Sequence, residues 1–207
     1  MAKMVGRPGN GGTVKAMTAD PSTARSLLDD RKTQIRVLAS SWLAQCRADD
    51  RILIREAGIP GFTDPATGRD KTIGLGRADF VVFPDGWRQY RDGTGRVGRA
   101  PNGPALPWRP AIHMPDWASR VQLRVLDVGE QRLTDLNRAD IISTGLRRTV
   151  FGLLWHWPRP APGIWRNPFA AFAARWDTTH GTPGERWIDN PNIVVLKVQR
   201  DRKGSIA

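Results

Sequence analysis

The sequence predicts an α+β fold, a small β-barrel with short peripheral helices. Three observations lead there. About five short segments carry strand patterns, the helical segments among them are brief and individually capped, and a strand closes the C-terminal end. An alternating parallel sheet would need longer helical patterns after each strand.

Taken in chain order, Asp20 is a good N-cap with Pro21 at the first helical position, and Ala24, Leu27 and Leu28 give that helix an apolar face ending near Asp30. Gln34 to Leu38 and Arg51 to Glu56 are rich in branched apolar residues and bounded by polar ones, so both are strands. Phe80 to Phe83 makes a third, closed by Pro84-Asp85-Gly86. Gly, Pro, Asp and Arg dominate 58–78 and 85–107, which read as long surface loops or hairpins. From Arg120 to Val128 the residues Val121, Leu123 and Val125 alternate with Gln122 and Arg124, a strand with one wet face. Asn137 caps a short helix that Gly145 can end in a left-handed conformation. The stretch 146–166, with Trp155, Trp157 and Trp165, carries no assignable pattern. Asn167 and Pro168 open a third helix whose Phe169, Phe172, Ala173 and Trp176 form a core-facing stripe. Ile193 to Val198, which begins as a continuous apolar run, is the last strand.

At 207 residues the expectation is one domain over 18–200. Ahead of it, 1–17 carry Lys3, Arg7 and Lys15 with four glycines and no acid, and read as a flexible basic arm. A basic tail over 201–207 follows the domain. The lone Cys46 excludes an internal disulfide framework and reads as a buried thiol. His113, His156 and His180 have no metal-ligand spacing, so neither a metal site nor a cofactor is expected. No apolar run is long enough to span a membrane, and the start lacks the apolar core of a signal peptide, so a soluble cytoplasmic protein is expected.

The net charge is +12, with 32 basic against 20 acidic residues, and 26 of the cations are arginine. That balance favours a polyanionic partner, nucleic acid first, because arginine suits bidentate phosphate contact and stacking on bases. The stretch WRPAIHMPDWASR (108–120) concentrates this chemistry. Trp108 and Trp117 can stack on unpaired bases while Arg109 and Arg120 hold phosphates. Both indoles can equally be core, since large aromatics dominate core burial. Arg109 and His113 are harder to bury unpaired and fit a solvent-facing site.

Three stretches, LLDDRKTQIR (27–36), DRILIRE (50–56) and WRPAIHMPDWASRVQLRVLDV (108–128), resemble the ASCH domain of the PUA-like superfamily, especially ASCH proteins carried by phages and prophages. The resemblance runs from about Asp20 to Arg200. It implies a PUA-like β-barrel that binds RNA or other nucleic acid in a basic cleft. The inherited label of some of these proteins, morphogenetic protein, offers a phage-assembly role that no residue here supports mechanistically, and protein partners are left open.

The resemblance assigns Arg31, Lys32, Thr33 and Arg36 to the motif after the first helix, with Asp30 where glycine is usual. Lys32 is the cation presented to the cleft. ASCH enzymes that hydrolyse acetylcytidine add a threonine three positions after the lysine and a glutamate from the second helix. Those positions are Ile35 and Thr144 here, and isoleucine offers no nucleophile. Thr33 points to the opposite strand face from Lys32 and does not replace it. The resemblance also sets Arg55 and Glu56 near the cleft. Such a neighbour pair ordinarily reads as a surface charge pattern, yet Glu56 is the acid-base candidate if hydrolysis of RNA or modified nucleosides occurs with Lys32. A non-catalytic nucleic-acid binder is the first reading, and that hydrolase the second.

Overall fold

The computed structural model describes residues 12–98, 107–149, 151–158 and 163–201. In chain order the elements are β1 (Val14–Thr18), α1 (Pro21–Leu28), β2 (Gln34–Leu38), β3 (Arg51–Arg55), β4 (Ile59–Thr63), β5 (Asp70–Thr72), β6 (Phe80–Val82), β7 (Trp87–Tyr90) and β8 (Gly95–Val97). There follow β9 (Val121–Arg132), α2 (Arg138–Ile142), β10 (Arg147–Arg148), β11 (Trp155–His156), α3 (Pro168–Asp177) and β12 (Asn192–Arg200). The fold is α+β and mostly strand, with three α-helices among the described residues and a main sheet curled into a half-barrel.

The main sheet runs β1-β3-β9-β12-β2. β1 lies parallel to β3, and the remaining pairings are antiparallel. β12 is buried on both faces, which explains its continuous apolar run. Val194, Leu196 and Val198 join Ile35, Ile52, Ile54, Val121, Leu123 and Leu27 of α1 on one side. Ile193 and Val195 face the opposite side, against Ile141 of α2, Phe172 and Trp176 of α3, and Trp157.

Helix starts follow local chemistry. Asp20 accepts from the amides of Ser22 and Thr23, Asn137 forms a capping box with Asp140, and Asn167 accepts from the Phe169 amide. Gly145 has φ +99°, and a Cβ there would stand 2.8 Å from Ser26 of α1, so glycine is required both for conformation and for close approach. Asp30 has φ +53°, a left-handed conformation that glycine adopts most readily and that aspartate is among the few side chains to tolerate.

Several expectations are corrected. Val14–Thr18 are not part of a flexible arm: hydrogen bonding to β3 makes them an edge strand. The rest of the expected arm, 1–11, and the tail beyond Asp201 lie outside the described residues. The segments 58–78 and 85–107, read as long loops or hairpins, hold the antiparallel hairpin pairs β4–β5 and β7–β8. Within 59–97 they form, with β6, a second five-stranded antiparallel sheet, β5-β4-β6-β7-β8; residues 99–106 lie outside the description. Gln122, expected on a wet face, is buried beside Leu53 of β3. In α3 the buried residues are Pro168, Ala171, Phe172 and Trp176, while Phe169 and Ala173 are only half-buried. The unassigned segment holds the β10–β11 hairpin.

WRPAIHMPDWASR forms two single 3-10 turns, Ala111–His113 and Asp116–Ala118. They bring Met114 and Ala118 against Val81 and Phe83 of the second sheet, with Trp117 packed on the same cluster. Cys46 is a buried free thiol.

Candidate functional site

Two hollows flank α1. The smaller, about 360 Å³, lies between the end of β1, α1, β2 and α3. Its polar groups are Asp20, Ser26, Lys32, Arg36, Thr144 and Arg175, and its walls are Trp157, Phe172, Trp176 and His180. The larger, about 680 Å³, is lined by Arg25, Glu56, Asp85, Arg120, Arg147 and His156 among others.

In the smaller pocket, Lys32 is held by the turn after α1, where its amide donates to the Ser26 carbonyl at 3.0 Å. Its Nζ donates to the Thr144 carbonyl at 3.4 Å. Burial, with the nearby guanidiniums of Arg36 and Arg175, pushes the Lys32 ammonium down to about 8, against the opposing pull of Asp20. Arg36, on β2, has a side chain 2% exposed. Its Nη2 contacts Gln34 and stands 3.6 Å from Asp140, but Nε and Nη1 are buried without a hydrogen-bond partner. Burial pulls this guanidinium down to about 10, with Asp140 opposing. The third cation, Arg175, is already committed: its Nη2 donates to Asp20 at 2.5 Å.

The other lining groups leave few free donors. The hydroxyls of Ser26, Thr144 and Thr179 donate to the carbonyls of Ser22, Ile141 and Trp176. The indole nitrogens of Trp157 and Trp176 donate to the carbonyls of Ala171 and Glu185 at 3.0 and 2.7 Å. These two rings therefore offer apolar surface rather than donors, and Trp176 stacks on His180 with centroids 3.9 Å apart. The pocket is thus an apolar, aromatic recess with Lys32 inside it and the buried Arg36 in its wall. Such a recess fits an anion carried on a flat ring.

In the larger hollow Arg120 is fully engaged, whereas Nε of Arg147 is buried without a hydrogen-bond partner. Arg120 donates from Nε and Nη2 to the two carboxylate oxygens of Glu56 at 2.8 and 2.7 Å, and from Nη1 to both oxygens of Asp85 at 2.9 and 2.8 Å. Its Cζ stands 4.3 Å from the Phe83 ring centroid. Arg147 donates to Asp29 at 2.7 Å, and Arg25 stands 3.4 Å from the same carboxylate.

Of the sequence-predicted residues, the structure brings together Lys32 and Arg36, with Ile35 and Thr144 beside them. It does not bring Glu56 to Lys32: the two line different hollows, and Glu56 is spent on Arg120, so the pair expected to serve hydrolysis is separated. Arg120, expected on a phosphate, is instead bound to two carboxylates. Arg31 is exposed and pairs with Asp29, Thr33 is exposed away from the pocket, and Arg55 donates to Asp116 at 2.7 Å. Trp108, 38% exposed, Arg109 and His113 lie on the surface. Trp117 is half-buried under Arg91, whose Cζ is 4.9 Å from its centroid.

Asp20, Trp157, Phe172, Arg175, Trp176 and His180 were not legible as site residues. Asp20 reads as a cap and the α3 aromatics as core, and both readings are true of them as well. Among the described residues no helix is long and apolar enough to cross a membrane. No protein-family model, curated protein or solved structure matches the chain.

Proposed function

We propose that this protein binds RNA or single-stranded nucleic acid without chemistry, using the Lys32–Arg36 pocket as its recognition point. The observation that carries the reading is a lysine inside an aromatic recess with a buried arginine in its wall. An anion entering the recess meets the Lys32 ammonium, and the nearby Arg36 charge strengthens the attraction. The +12 charge supplies long-range attraction for the same ligand. A resemblance to ASCH domains supports the reading, since the positions it singles out, Lys32, Ile35 and Thr144, line one pocket. A closed PUA-like barrel, phage descent and a cytoplasmic place belong to this same proposal. Ile35 and the Thr144 hydroxyl, which is turned onto a carbonyl, support binding without hydrolysis.

The test is a titration of full-length protein into labelled single-stranded RNA at two salt concentrations, with duplex RNA and DNA as competitors and a denaturing gel at the endpoint. The expected result is binding that weakens steeply with salt and leaves the strand intact, with a log–log slope of about −0.7 per phosphate engaged. Absence of binding at low salt overturns the reading, and a shortened strand overturns its non-catalytic part.

A further inference from the structure

We propose that the Lys32–Arg36 pocket receives a nucleoside phosphate monoester, the phosphorylated end of a strand or a free mononucleotide, rather than an internal phosphodiester. The inference rests on the nucleic-acid reading of the site and narrows it to one chemical group.

Depth is the first argument. Lys32 lies inside the recess with its Nζ on the Thr144 carbonyl, so a phosphate must enter the recess to reach the ammonium. An internal phosphodiester carries a sugar and base on each side, and seating it there would bring both neighbours in. The pocket holds about 360 Å³, near the lower end of the range for small-molecule sites, which suits one nucleotide and not a run of them. A terminal phosphate leads with its free oxygens and leaves the rest of the strand at the mouth.

Charge and donor chemistry agree. Lys32 and Arg36 face the recess while Arg175 and Asp20 neutralise each other. A monoester carries close to two negative charges near pH 7 and three acceptor oxygens. A diester carries one charge and two free oxygens. Lys32 and Arg36 bring two positive charges to the recess, which a dianion balances more fully than a monoanion. A bound dianion moves the depressed Lys32 ammonium back towards its ordinary range. Trp157, Phe172 and Trp176 supply an apolar wall for the nucleoside.

The experiment uses the full chain and fluorescence or calorimetric titration with five probes: AMP, adenosine, inorganic phosphate, and one short RNA made with a 5′-phosphate or with hydroxyls at both ends. A 3′-phosphorylated copy serves as a sixth. Expected are at least tenfold tighter binding of one phosphorylated strand than of the hydroxyl strand, competition by AMP and none by adenosine. Arg36→Met is expected to reduce the preference to near one. Arg36→Lys, which keeps the charge, retains part of it, and thermal melts of both variants show that the fold persists.

Equal binding of phosphorylated and unphosphorylated strands, unchanged in Arg36→Met, overturns the inference and leaves the nucleic-acid reading standing. AMP binding with no affinity for any strand overturns the nucleic-acid reading and assigns the pocket to free mononucleotides. Inorganic phosphate binding as tightly as AMP overturns the nucleoside part. Tighter binding of a phosphorylated strand than of AMP identifies the strand end as the source.

Discussion

Arg120 and Arg36 lie at similar depth, with 6% and 2% of their side chains exposed, and both extend from the half-barrel sheet or its margin. Arg120 has four charged hydrogen bonds to two carboxylates, one of which, Asp85, belongs to the turn between β6 and β7. Arg36 has one amide oxygen, a carboxylate 3.6 Å away and the Phe172 ring centroid 6.0 Å from its Cζ, and two of its three nitrogens have no hydrogen-bond partner. The same residue type therefore does opposite things. Arg120 fastens the second sheet to the first and its interactions are complete in the folded chain. Arg36 keeps two buried nitrogens that the folded chain alone does not satisfy.

The difference is open to direct attack, and the largest effect is expected at the closed site. Glu56→Gln leaves the Arg120 guanidinium buried with half of its partners. Removing one member of a buried pair costs about 3 kcal/mol at the lower end of the usual range, and the remaining Asp85 places this case there. A urea titration should show a lower midpoint with an unchanged slope. A loss below about 0.5 kcal/mol would mean that the junction between the sheets does not depend on this pair.

At the open site the sign reverses. Arg36→Met removes a buried charge whose partners are incomplete and keeps a flexible apolar stem in its place. The free protein should gain about 1 kcal/mol, the scale on which a buried unsatisfied polar group is felt. The same urea titration, run beside Glu56→Gln, measures it. If Arg36→Met instead destabilises by as much as Glu56→Gln, Gln34 and Asp140 suffice to hold the guanidinium and the contrast between the two sites disappears.

Much of the main sheet was legible because its signals are local. The caps at Asp20, Asn137 and Asn167 and the left-handed Gly145 are written in single residues. The apolar run of β12 is long enough to announce a strand by itself. The second sheet was not legible, since β5 and β8 are three residues each, fully exposed, and stand as strands through pairing with β4 and β7. The strand Val14–Thr18 is likewise a consequence of β3, fastened beside a stretch whose composition reads as a tail. In the site, Lys32 and Arg36 were legible and their isolation was not. Whether a charge is neutralised depends on residues far away in the chain, as with Glu56 and Arg120, separated by 64 positions. The aromatic wall was hidden for another reason: Trp157, Phe172 and Trp176 are core residues whose edges also face a cavity, and periodicity reports only the first property.

Lys32 provides the smallest of these effects and the one that joins stability to binding. In the unfolded chain its ammonium titrates near 10.5, and in the folded chain near 8, because burial and the two neighbouring guanidiniums disfavour the charge. Between those values the unfolded chain holds a proton that the folded chain has released, so unfolding takes one up. Raising the pH through this window therefore opposes unfolding, and the destabilisation carried in full below pH 8 is progressively removed towards 10.5. Wild-type protein should gain about 1 kcal/mol relative to Lys32→Met between pH 7 and 9, measured by urea midpoints at each pH. An anion in the pocket changes the sign of what is seen. It needs the ammonium charged, so AMP affinity should fall over the same window in wild type and stay flat in Lys32→Met. Matching pH profiles for the two proteins, in both stability and affinity, would place Lys32 outside the recess and leave Arg36 alone there.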